Sequence, residues 1–309
     1  MYVATPLIPS MSTPNPITLP APIFLRHLAT IIAACLFIAT GITHADEAKQ
    51  VQVAGQRVFS AGHSFHVWMQ GGLTEIARNA KIAGHDPLGV QGIGGSQVIQ
   101  HWNLPDEKNT VKPALMTGKV QVLTLSPIYL PDEGIEKLTK LGLDHNPDIR
   151  VTVQEFWLPY DDVASWKTRP KEIDRDSKTI EELRKAHAEY FQSMDEHVAA
   201  LNRQFGKTVI SVVPVGQAVL ALREKLIKGE VPGVKKQSEL FTDVLGHPQA
   251  HIKALADYCH FAVIYRTNPV GLPVLSFLAK QPEAEKLNRL LQEIAWDAVT
   301  AHPLSGVKK

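Results

Sequence analysis

Five short apolar runs recur along the chain, and a stretch with helical spacing separates each from the next. The runs are residues 57–61, 88–93, 120–125, 150–157 and 209–214. Val120 to Leu125 is continuously apolar apart from Gln121 and Thr124, as expected of a strand covered on both faces. The intervening segments carry apolar residues three and four apart, as with Leu73, Ile76, Ala77 and Ala80. Strands alternating with helices predict an α/β protein: a three-layer α/β/α sandwich around a mostly parallel five-stranded sheet. Helices are expected over about 68–83, 109–117, 133–143, 177–205, 217–228, 249–265 and 282–301. In such sheets ligands bind beyond the carboxyl ends of the strands, so functional side chains should follow the apolar runs directly.

Composition narrows the partners. The 309 residues carry 32 Lys plus Arg against 31 Asp plus Glu, a formal net charge of +1. Such a balance supports neither a nucleic-acid binder nor a polybasic membrane-surface protein. Two cysteines, Cys35 and Cys259, cannot build a disulfide framework or a four-thiolate zinc site.

Residues 1–45 hold one charged side chain, Arg26, followed by an apolar run from Leu28 to Ile42 and the small-residue exit Thr43-His44-Ala45. Basic residue, apolar stretch and small exit residue predict a signal peptide cleaved after Ala45, leaving 46–309 as a single domain that is exported to the periplasm or beyond and keeps no membrane span. Ile32-Ala33-Ala34-Cys35 resembles a lipoprotein cleavage box, but the apolar run continues past Cys35 through Leu36-Phe37-Ile38, so cleavage after Ala45 is preferred.

Three polar clusters sit where the sheet argument wants them. Gly62-His63-Ser64-Phe65 follows the first run, Gly92-Ile93-Gly94-Gly95-Ser96 the second, and Asp243 and His247 precede the last core helix. A serine at a strand-to-helix turn, glycines that let backbone N–H groups approach a ligand, and an aspartate orienting a histidine are the parts of an activated hydroxyl nucleophile.

Their order resembles the GDSL-type, or SGNH, hydrolases over roughly residues 55–275. The resemblance implies a flavodoxin-like SGNH fold, Ser64 as nucleophile, His247 as base and Asp243 as its partner. It also implies an oxyanion hole that includes Gly95. The chain departs from the family pattern three times. His63 stands where the family has aspartate. The third block reads Leu125-Ser126-Pro127-Ile128 without the family's asparagine, so Ser126 is the expected substitute donor. Asp243 and His247 are four apart rather than three.

The implied activity is hydrolysis of a small-molecule or carbohydrate ester, such as deacetylation of a sugar, without cofactor or metal. The alternative is a non-catalytic SGNH-like binding protein that has lost the oxyanion asparagine. His247 and His251 have the i, i+4 spacing of two metal ligands, but no Glu lies between them, so the zinc-protease pattern is missing. His63 and His66 are candidates to line one cleft, and Tyr160, Asp161 and Asp162 fall at the edge expected for substrate contact. Specificity is expected from the loops at 159–177 and 229–239.

Overall fold

Each apolar run forms a strand. The computed structural model describes residues 53–309; the predicted signal sequence, with Cys35 and Ala45, lies outside the described residues. Strands β1 (Arg57–Gly62), β2 (Asp86–Gly92), β3 (Val122–Leu125), β4 (Arg150–Glu155) and β5 (Ile210–Pro214) pair side by side in the order β2-β1-β3-β4-β5, and every pair is parallel. All four residues of β3 are buried, which is why its sequence lacks the alternation of a half-wet strand. β2 is an edge strand, and this explains how it accommodates Pro87.

The helices are α1 (Met69–Asn79), α2 (Val98–Trp102), α3 (Val111–Met116), α4 (Glu133–His145), α5 (Ser165–Thr168), α6 (Ile180–Gln204), α7 (Val215–Ile227), α8 (Ala250–Tyr265) and α9 (Ala284–Ala301). The chain moves one way from β1 to β2 and the other way from β2 through β3 and β4 to β5. Right-handed crossovers therefore put α1 on one face and α2, α3, α4 and α6 on the other. α8 returns to the first face and packs between α1 and α9. It is buried nearly all round, from His251 and Ile252 to Tyr265, so its sequence is apolar on every side rather than on one stripe. Cys259, the one cysteine among the described residues, lies there as a buried free thiol.

The seven predicted helices are present with their ends shifted by a few residues. α2 and α5 were not expected, because five and four residues are too few for periodicity to register. Reversal of direction at β1 leaves a crevice between the carboxyl ends of β1 and β3, the position where such sheets bind ligands.

One carboxylate ties the loops around that crevice. Asp132, in the loop before α4, accepts hydrogen bonds from the backbone N–H groups of Val98 (2.6 Å), Ile99 (2.9 Å) and Gly134 (2.9 Å). It thereby caps α4 and also anchors α2, which directly follows the Gly94-Gly95 turn. Losing a helix cap costs about 1 kcal/mol, so Asp132→Ala is expected to cost about 2 kcal/mol, read as a lower urea midpoint with an unchanged slope. A change within about 0.5 kcal/mol would show that the two helices do not depend on it.

Candidate active site

Ser64 sits in the turn between β1 and α1, its carbonyl held by the Trp68 indole N–H at 2.9 Å. Its Oγ is 2.8 Å from His247 Nε2, and His247 Nδ1 is 2.6 Å from Asp243 Oδ2. Partial burial works against the Asp243 charge, but hydrogen bonds from the His247 ring and from the backbone N–H groups of His247 and Gly246 outweigh it and hold the carboxyl below its ordinary value. An ionised carboxylate only accepts, so the neutral imidazole carries its proton on Nδ1. Nε2 is then a bare acceptor, and the Ser64 hydroxyl donates to it. This is the tautomer that can take a proton from a serine.

The four-residue spacing is absorbed locally. Asp243 Oδ1 accepts from the N–H of Gly246 (2.9 Å) and of His247 (3.1 Å), so the extra residue is wrapped into a turn around the carboxylate itself. Thr242 N–H donates to the His247 carbonyl at 2.8 Å and Phe241 bridges to Pro248, closing the hairpin. Gly246 takes φ 105°, which a side chain would resist.

His63 accounts for the departure in the first block. Its Nδ1 accepts the N–H of Phe65 at 3.2 Å, two residues on, the bond an aspartate would make in an Asx turn. Burial, reinforced by the neighbouring imidazoles of His66, His101 and His247, pushes its pKa down to about 3, so the ring is neutral. With Nδ1 accepting, the proton is on Nε2, which donates to Ser126 Oγ at 3.0 Å. That bond spans the crevice between β1 and β3.

A pocket of about 560 Å³ opens over Ser64 and His247. Ser64 and Gly95 line it, and neither backbone N–H has a partner among the described residues. Gly95 adopts φ 63°, a left-handed geometry that glycine takes without strain. Both N–H groups are thus free to donate to a bound oxygen.

The floor is rigid. Phe65 stacks on Trp157 at 4.8 Å and meets the His247 ring edge-on at 5.1 Å. Gln154, a buried amide in β4, donates to the Phe65 carbonyl at 3.0 Å. Its Oε1 accepts from His66 Nδ1 (3.0 Å) and His260 Nε2 (2.9 Å). Burial pushes His66 down to about 4 and His260 well below its ordinary value, so both rings are neutral and each donates one N–H.

A chain of buried charges holds the Asp243–His247 hairpin from the side. Arg223 makes a two-pronged pair with Asp161 (2.7 and 2.9 Å), and Arg175 faces the same carboxylate at 3.7 Å. Arg175 then donates to the carbonyls of Asp243 (3.2 Å) and Val244 (2.9 Å), while the Trp157 indole donates to that of Gly246 (2.9 Å).

Several expectations change. Ser126 is buried, is not among the residues that line the pocket, and holds His63; the expected substitute for the missing asparagine is therefore not at the pocket surface. His66 is a core residue rather than a cleft residue, because Thr124 and Gln154 engage both its nitrogens. Asp161 is neutralised by two arginines, and Asp162 caps the turn into α5 through Ala164 and Ser165. Tyr160 does line the pocket. His247 precedes α8, which starts at Ala250, so His247 and His251 do not share a helix face as two metal ligands would. Of the specificity loops, 159–177 contributes Pro159, Tyr160, Trp166 and Arg169 to the pocket. Residues 229–239 instead bury Val231, Val234 and Gln237, the last of which holds Arg223.

Sheet order and strand direction give the flavodoxin-like α/β architecture, a parallel five-stranded sheet flanked by helices, that the resemblance implies. No protein-family model and no curated protein matches the chain. Among solved structures, a DUF4886 family protein from Bacteroides uniformis ATCC 8492 is similar, with a TM-score of 0.51 and 14% identity over 80% of this chain and 95% of that one. Phospholipase A1 from Streptomyces albidoflavus NA297 aligns at a TM-score of 0.41 and 10% identity, over 69% of this chain and 100% of that one. A protein described as a GDSL-like lipase from Parabacteroides merdae ATCC 43184 aligns at 0.41 and 12%, over 67% and 96%.

Arg175 carries a testable structural load. A lysine cannot reach two carbonyls and a carboxylate at once. Losing one bond to a charged donor costs roughly 1.5–3 kcal/mol. Arg175→Lys should therefore speed amide hydrogen exchange at Gly246 and His247 by about tenfold or more and leave β1 and β3 amides unchanged. Unaltered exchange in the hairpin would contradict the clamp.

Proposed function

We propose that this protein is a serine hydrolase that cleaves an ester bond. One observation carries the reading: a hydroxyl, an imidazole and a carboxylate are joined in series at 2.8 and 2.6 Å, on a pocket also lined by Gly95. Each can be given a role from its position. Ser64 Oγ attacks the ester carbonyl as His247 Nε2 takes the hydroxyl proton, and Asp243 stabilises the resulting imidazolium. The N–H groups of Ser64 and Gly95 donate to the carbonyl oxygen as it becomes negative. The bond to the alcohol then breaks, and the alcohol leaves with the proton from His247. Water, deprotonated by His247, releases the acid from Ser64 and restores the site.

The oxyanion donors in this scheme are backbone groups, so it does not depend on the family's asparagine. Losing one side-chain donor typically costs about 10²–10³ in rate, so turnover is expected to be modest and strongest with reactive esters. Carbohydrate acetates are among the candidate substrates, since aromatic walls such as Tyr129 and Trp166 suit the faces of sugars as well as of aromatic rings. The N-terminal pattern would place the activity outside the cytoplasm.

Hydrolysis of 4-nitrophenyl acetate and butyrate by the purified protein tests the proposal. Ser64→Ala is expected to lower kcat by about 10⁴-fold or more, and Asp243→Asn by about 10³–10⁴-fold, with circular dichroism unchanged. Equal turnover by wild type and Ser64→Ala would remove Ser64 from the reaction.

A further inference from the structure

The pocket over Ser64 is aromatic and apolar on most of its surface, through Ile128, Tyr129, Phe156, Tyr160, Trp166 and Leu245. Among the described residues that line it, Arg169 is the one permanently charged side chain, and no acid lines it. The Arg169 guanidinium forms no hydrogen bond and no ion pair among the described residues, and the residue is exposed. Of the five acids of the same loop, four are engaged elsewhere, and the fifth, Glu172, is exposed and does not line the pocket. Asp161 pairs with Arg223 and Arg175, Asp162 caps α5, Asp174 accepts from the backbone of Asp176 and Ser177, and Asp176 holds Ser238. Arg175, six residues away, shows the contrast: its guanidinium is buried against Asp161 and the hairpin carbonyls.

The backbone gives a second, independent reason to single out Arg169. It adopts φ 45° and ψ 64° directly before Pro170, although a residue preceding proline is driven towards extended geometry. Among the described residues, six non-glycine positions have positive φ, and three of them, Tyr160, Asp161 and Arg169, fall within this one loop. Two of those three line the pocket. Strained backbone persists where the surroundings over-determine it, and it concentrates where a side chain is held for use. At Tyr160 and Asp161 the surroundings are the Tyr160 N–H to Leu245 carbonyl bond (3.0 Å) and the Asp161 ion network; at Arg169 they are its own N–H to Ser165 carbonyl bond (2.9 Å), which closes α5.

We propose that Arg169 makes the Ser64 site selective for esters that carry a negative charge away from the scissile bond, on an apolar or aromatic body that fills the pocket. The proposal rests on the serine hydrolase reading and names its substrate class. The charged group is bound and not transformed. Water is the only co-reactant; the acyl carbon–oxygen bond breaks, and acid and alcohol leave with the remote anion intact. An arginine fork suits a carboxylate or a phosphate equally, and both are met by two N–H donors.

Two matched pairs of esters test it and locate the charge. Mono-4-nitrophenyl glutarate against 4-nitrophenyl pentanoate puts the anion on the acyl side. 3-Carboxyphenyl butanoate against 3-carbamoylphenyl butanoate puts it on the alcohol side. Each rate is normalised to alkaline hydrolysis. Wild type is expected to favour the anionic member of at least one pair by about tenfold in kcat/KM, mainly through KM, and less so as ionic strength rises. Arg169→Gln should bring that ratio close to one, and Arg169→Glu should carry it below one. Ratios near one in both pairs for wild type, or a preference that survives Arg169→Gln, overturn the proposal while leaving the hydrolase reading intact. Failure of wild type to turn over any of the four esters, with Ser64 unlabelled by a fluorophosphonate, overturns both. Where wild type turns the esters over too slowly to compare but Ser64 is labelled, calorimetry on Ser64→Ala decides: tighter binding of the anionic ester than of its neutral partner supports the role of Arg169, and equal binding refutes it.

Discussion

The Asp243 carboxylate is the constraint on which the rest of the site depends. One oxygen folds its own hairpin by accepting the N–H groups of Gly246 and His247; the other fixes the imidazole by accepting from Nδ1. Loop shape and histidine tautomer are therefore set by a single charged group. Because the hairpin is short and partly exposed, that group cannot hold it alone. Arg175 and Trp157 grip the outward carbonyls of Asp243, Val244 and Gly246, and Arg175 is in turn pinned by Asp161 and Arg223. A buried ion network of this kind contributes more to a defined geometry than to net stability, since desolvation offsets much of the attraction.

Ser64 is held by a different set of forces. Its turn rests on Phe65, stacked on Trp157, and on the neutral His66–Gln154–His260 cluster. That cluster is buried, and burial keeps both rings uncharged, so each gives one N–H to Gln154 Oε1, while His260 Nδ1 has no partner among the described residues. Ser64 is thus fixed from the sheet and His247 from the flanking loop. The 2.8 Å contact between them is where the two supports meet.

Much of this was legible in the sequence. Val120 to Leu125 reads as a buried strand because both faces of the sheet are covered, and Arg150 to Trp157 reads as a further strand. Ser64, Gly95, Asp243 and His247 could be ordered because block position survives where individual residues change. His63 was legible only as a departure. Its equivalence to aspartate lies in one lone pair two residues before an N–H, which no pattern of residue classes encodes. Arg175 and Arg223 were invisible, and Asp161 read as a substrate contact, for a related reason: a charge reads as solvated unless its partner is known, and Arg223 lies 62 residues from Asp161 while Arg175 is joined to it across a loop without periodicity. Ser126 was misassigned because sequence places it after β3 correctly but cannot say which side of His63 it occupies.

The central claim is that Ser64 is an activated nucleophile, and its most direct measurement is covalent. The native protein is treated with a fluorophosphonate, the intact mass is recorded, and the modified peptide is sequenced. The account predicts one adduct per chain, on Ser64, with labelling strongly slowed in Asp243→Asn and His247→Ala. An unmodified Ser64 under conditions that label a known serine hydrolase, or labelling of Ser64 that is indifferent to both substitutions, would contradict it.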